Sequence, residues 1–76
     1  MKLPLVSGEQ VIKLLQREGF LITRQKGSHV SLHKRSEDGI TRLVVVPRKR
    51  EIKKGTLLSI IKQTGISREE FINKLK

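Results

Sequence analysis

At Gly19 the apolar residues of the chain change period, and the change separates a helix from the strands that follow. Before it, Val11, Leu14 and Leu15 recur at helical spacing behind Ser7-Gly8-Glu9-Gln10. That tetrapeptide fits a capping box, with the Ser7 hydroxyl accepting from the Gln10 amide while the Gln10 side chain reaches back. Val6 and Val11 take the staple positions around the cap and Gly19 supplies the stop, so a first helix is predicted near residues 8–18. After Gly19 the pattern is extended. A three-residue loop, Gln25-Lys26-Gly27, pairs Ile22 with Val30 and Phe20 with Leu32, keeps those apolar residues on one face, and gives Gly27 the left-handed position such loops need. The opposite, wetter face then receives His29, Ser31 and His33, because strand side chains alternate.

Ser36-Glu37-Asp38-Gly39 forms a second turn, leading into the β-branched strand Thr41-Arg42-Leu43-Val44-Val45-Val46, which Pro47 stops. Its continuous apolar run leaves the inward parity open. A charged connector follows from Arg48 to Lys54. Gly55-Thr56 then opens a helix carrying Leu57, Leu58, Ile60 and Ile61 and ending at Gly65. A second capping box, Ser67-Arg68-Glu69-Glu70, starts a short terminal helix held by Phe71, Ile72 and Leu75. The order is α-β-β-β-α with a helical extension. Its economical packing is an α+β domain: a three-stranded antiparallel sheet with its helices on one face and the other face open. A chain of 76 residues forms one such domain, residues 1–76.

Seventeen Lys and Arg against seven Asp and Glu give a net charge of +10, which attracts a polyanion and puts nucleic acid first among partners. With no Trp or Tyr and two Phe that the core can absorb, single-strand recognition by base stacking is disfavoured. The chain has no cysteine, which removes disulfides, thiolate chemistry and zinc-thiolate sites. Two histidines without a carboxylate cluster make a poor metal site, so no metal and no cofactor are expected. Met1–Val6 is too short and too broken by Pro4 for a secretory or membrane segment, and a cytoplasmic location is expected.

The arrangement and the local wording together resemble the HicA (YcfA-like) toxin family of toxin-antitoxin systems, over nearly the whole chain. The resemblance rests on Leu3-Pro4, Gly19-Phe20, Arg24-Gln25-Lys26-Gly27-Ser28-His29, Val46-Pro47, Lys54-Gly55-Thr56-Leu57, Gly65-Ile66-Ser67 and Glu70-Phe71, all in order. It implies a double-stranded-RNA-binding-domain-like fold, an mRNA interferase that arrests translation, and a HicB-type antitoxin covering the active histidine, here His29. Many relatives carry a second histidine two residues after the Val-Pro, where this chain has Lys49.

RNA is cut without a metal when a base deprotonates the 2′-hydroxyl, the oxygen attacks the adjacent phosphorus, and an acid protonates the leaving 5′-oxygen. An imidazole suits either proton transfer near neutrality, which makes His29 the catalytic candidate. Lys26 can hold the phosphate electrostatically, and the amides of Gly27 and Ser28 can donate to its oxygens. Arg24 is a further phosphate candidate near the tip. His33 lies roughly 13 Å along the same face, too far to share a phosphate with His29, and is expected to be an ordinary exposed strand residue. The run from Arg48 to Lys54 holds five basic residues and one acid. By resemblance, Lys53 and Lys54 at the start of the second helix contact backbone phosphates. The residues by themselves also fit a non-catalytic double-stranded-RNA-binding module, or a basic interaction protein with an acidic partner, in which His29 has no chemistry.

Overall fold

The computed structural model describes residues 3–76; the Met1-Lys2 start of the N-terminal apolar patch lies outside the described residues. Six elements follow in order: α1 (Gly8–Arg17), β1 (Leu21–Lys26), β2 (His29–Arg35), β3 (Thr41–Pro47), α2 (Lys54–Thr64) and α3 (Arg68–Lys74). Both halves of the predicted box close α1, with Gln10 N donating to Ser7 Oγ at 3.2 Å and Ser7 N to Gln10 Oε1 at 2.8 Å. At α3, Glu70 N donates to Ser67 Oγ at 3.1 Å, the forward half of the expected box.

The strands form an antiparallel sheet in the order β1-β2-β3, with β2 central. The hairpin differs from the predicted register. Lys26 stands opposite His29 and Gln25 opposite Val30, so the loop is the two-residue Gly27-Ser28 rather than Gln25-Lys26-Gly27. Gly27 has φ +60° and Ser28 is not left-handed, the arrangement of a II′ turn with glycine first. The parity that a two-residue loop upsets is reset at Thr23. A bulge there lets Arg24 pair with Ser31 while Ile22 pairs with Leu32 rather than Val30. The Thr23 hydroxyl fastens the bulge, donating to Ser31 O at 3.4 Å and hydrogen-bonding His33 Nδ1. Phe20 precedes β1 instead of pairing with Leu32, yet is buried, with its N–H donating to Leu15 O at 2.9 Å.

Val44 and Val46 point inward with Val30 and Leu32 of β2, and Leu43 and Val45 point outward. The four inward valine and leucine side chains are sealed by Val11, Leu14 and Leu15 of α1, Leu57, Ile60 and Ile61 of α2, and Phe71 of α3. This is the double-stranded-RNA-binding-domain-like arrangement, helices on one face and an open sheet on the other. α2 runs back along β3: Gln63 Oε1 accepts from Val45 N at 3.4 Å, and Gly65 packs on the Arg42 guanidinium. The N-terminus of α2 therefore lies at the Pro47 end of the sheet, the end that carries the Gly27-Ser28 turn.

Candidate active site

His29 is the first residue of the central strand. It stands between Lys26 on β1 and Pro47 on β3, so both neighbours fix its backbone while the imidazole is exposed. Residues directly opposite one another in a ladder point to the same face, which puts the Lys26 and His29 side chains together on the open face. The next rung along that face is Arg24, Ser31 and Val45, and the one after it Leu21, His33 and Leu43. His29 and His33 thus share a face, as their parity predicted, but stand two rungs apart. The Nδ1 of His33 is already engaged by Thr23.

The turn itself is uncovered. A Cβ built on Gly27 would meet nothing within 4 Å. Beneath it the backbone is tied down: Arg48 N donates to Ser28 O at 2.6 Å, joining the hairpin tip to the segment that leaves β3. That segment is in turn held by the start of α1. Gly8 N donates to Lys49 O at 2.8 Å, and Arg48 Nε pairs with Glu9 Oε1 at 3.0 Å. Arg48 and Glu9 were not singled out from sequence. Their proximity to His29 joins parts of the chain remote in sequence, and it becomes legible only once the β2–β3 register places Pro47 opposite His29.

The predicted site residues fall into two groups. Arg24, Lys26, Gly27, Ser28 and His29 gather at one corner of the open face. Lys53 and Lys54 are exposed at the N-terminus of α2, at the same end of the molecule but in the helical layer behind the sheet. Lys53 is the N-cap with no side-chain hydrogen bond to the helix, and the first turn carries no acid. The helix dipole there is met by positive rather than negative side chains, an arrangement that favours an external anion. Lys49 is exposed beside the tip, with its carbonyl held by Gly8. Among the described residues no three His, Asp or Glu side chains gather as a metal-binding group, and no helix is long and apolar enough to cross a membrane.

Fold and site define a small, strongly basic α+β domain of the double-stranded-RNA-binding-domain type that displays a histidine at an open hairpin tip. The family described as the HicA toxin of bacterial toxin-antitoxin systems matches residues 8–66, and the chain belongs to that family. The match runs from the first residue of α1 to just beyond α2, leaving α3 outside it. None of the curated proteins compared with the chain matches it. Membership in a toxin-antitoxin family implies an antitoxin as partner.

Proposed function

We propose that this chain is an endoribonuclease toxin that cleaves mRNA without a metal, using His29 for proton transfer, and that a HicB-type antitoxin silences it by covering the His29 face. The observation that carries the reading is the exposed His29 imidazole, fixed on the central strand beside Lys26 at a tip that nothing covers. In the reaction the 2′-hydroxyl loses its proton, its oxygen bonds to phosphorus, and the P–O5′ bond breaks. The products are a 2′,3′-cyclic phosphate and a 5′-hydroxyl once the leaving oxygen takes up a proton. His29 performs one of these transfers, a contribution of about 10²- to 10⁴-fold. Lys26 offsets the charge that builds on the phosphate, and the amides of Gly27 and Ser28 add donors without a side chain in the way. Arg24, Lys53 and Lys54 hold flanking phosphates, and the cell compartment is the cytoplasm, where mRNA is.

The test is cleavage of an end-labelled RNA in EDTA by the wild-type chain and by His29→Ala, with the new 3′ ends assayed for cyclic phosphate. The variant is expected to lose at least 10²-fold in rate while its RNA affinity stays within about threefold, since the phosphate-binding charge in this reading sits on Arg24, Lys26, Lys53 and Lys54. Equal cleavage by both proteins would remove His29 from the mechanism. Equal inactivity with RNA binding retained would leave a non-catalytic RNA-binding module.

A further inference from the structure

The open sheet face is not uniformly polar. Two rungs from His29, His33 is flanked by Leu21 on β1 and Leu43 on β3, which are 71% and 49% exposed, and Val45 beside them is 36% exposed. All three aliphatic side chains point away from a core that is already sealed by the helices on the other side. The centre of the rung is also hydrogen-bonded within the sheet. His33 is half-buried and its Nδ1 is engaged by Thr23, whose hydroxyl is further tied to Ser31 O, so Nε2 is the ring nitrogen left for an outside partner. The rest of the face is cationic: Lys26 and Arg24 lie toward the tip and Arg35 beyond His33.

We infer that the rung of Leu21, His33 and Leu43, with Val45 beside it, anchors the antitoxin through an apolar contact patch ringed by acidic side chains. Three features select this occupant. Aliphatic side chains offer RNA neither charge for its phosphates nor aromatic faces for its bases. A second copy of the chain would set Arg24, Lys26 and Arg35 against cations of its own kind, whereas an acidic rim complements them. The family supplies a protein partner, the antitoxin, and an apolar centre with a polar rim is the ordinary anatomy of a protein–protein interface. The Nε2 of His33, once covered, needs a polar mate from the partner, which fixes how the partner seats.

Position on the sheet then accounts for inhibition. His29 is roughly 13 Å from His33 along β2, and a standard interface of about 800 Å² per partner spans about 28 Å. A protein anchored on the leucine rung therefore overlies His29 without having to contact its ring. This deepens the toxin reading above and rests on it, in that His29 marks the RNA end of the same face.

The experiment compares Leu43→Glu and Leu21→Glu, each checked for folding by circular dichroism, with the wild-type chain. Binding to the purified cognate antitoxin is measured by calorimetry, and RNA affinity and cleavage are measured alongside. The expected result is antitoxin affinity lowered about a hundredfold for Leu43→Glu, the size of an interface hot spot. RNA cleavage stays within threefold, and expressed variants are no longer neutralised in cells. Leu21, the more exposed of the pair, provides a second variant should Leu43→Glu fail to fold. Antitoxin affinity within threefold of wild type in both folded variants overturns the anchor. So does an RNA affinity that falls in parallel, which would make the face an RNA surface, or a wild-type dimer that the variants dissociate, which would make it a self-interface. Failure of the wild-type chain to bind the antitoxin at all would overturn the partner reading and the anchor with it.

Discussion

Gly8 opens α1 against the carbonyl oxygen of Pro47, so closely that a Cβ at this position would collide with it. The obstacle is backbone, so no side chain can swing away to make room. Replacing glycine by alanine in a helix ordinarily stabilises by up to about 1 kcal/mol, and less in the first turn; forcing extra volume into a packed site costs about 1–3 kcal/mol. The second effect wins. Gly8→Ala is expected to lower stability by about 1–2 kcal/mol in urea denaturation. Because Pro47 is the rung partner of His29 and Arg48 holds the turn at Ser28, RNA cleavage should also fall at temperatures where the variant is fully folded. A variant with wild-type stability and rate would show that the Pro47 backbone yields freely. At the other histidine the expectation is the reverse: His33→Ala, two rungs from the tip, should cleave RNA within about threefold of wild type, because it is too far along the strand to share a phosphate with His29. A loss like that of His29→Ala would require both rings at one phosphate and would refute the single-histidine mechanism.

α3 has seven residues, fewer than a helix needs to persist alone in water, so its stability comes from docking. The Ser67 cap contributes about 1 kcal/mol, while the fully buried Phe71 ring contributes about 3–5 kcal/mol relative to alanine. Phe71→Ala is therefore expected to remove about 3–5 kcal/mol, a large share of a domain stability of order 5–15 kcal/mol, and Ser67→Ala only to shift the thermal midpoint by a few degrees. Comparable losses from the two variants would mean that the cap, not the core, holds α3. The same contrast explains what was legible in the sequence. The starts of α1 and α3 could be read because caps are local: Ser7 and Gln10, and Ser67 and Glu70, make their bonds within one turn, whereas α2 has no side-chain cap and starts at Lys54, one residue before the expected Gly55. The hairpin register could not, because a parity argument assumes an uninterrupted ladder and Thr23 inserts a bulge whose bonds run to Ser31 and His33 on the other strand. The inward parity of β3 was open for a related reason. Leu43, Val44, Val45 and Val46 are all apolar, and only the packing of α1 and α2 decides which pair is buried. The face of His29 is legible all the same, because the shift in register changes its cross-strand partner and leaves its parity unchanged, whereas Arg48 and Glu9 depend on contacts between α1 and the end of β3.

At the scale of the molecule, the excess of ten positive charges should make the proposed RNA binding sensitive to salt, but only cations at the interface release counterions. Two of the acids are already paired, Glu9 with Arg48 and Glu18 with Lys74, the first pair lying at the hairpin-tip end. If Arg24, Lys26, Lys53 and Lys54 each neutralise one phosphate, the slope of log affinity against log salt is about −2.8 for a single strand and about −3.6 for a duplex. Raising salt from about 50 to 200 mM would then weaken binding about 50- to 150-fold. The double variant Lys53→Ala/Lys54→Ala separates the two groups of residues. It removes the helical-layer cations and leaves the hairpin corner intact, so the slope should fall by half and the same change in salt should cost only about 7- to 12-fold. Cleavage at saturating RNA should persist, since neither lysine lies in the rung that holds His29. An unchanged slope would restrict the RNA footprint to the open face. RNA would then occupy only the surface on which the antitoxin is placed, and the start of α2 would be free of both.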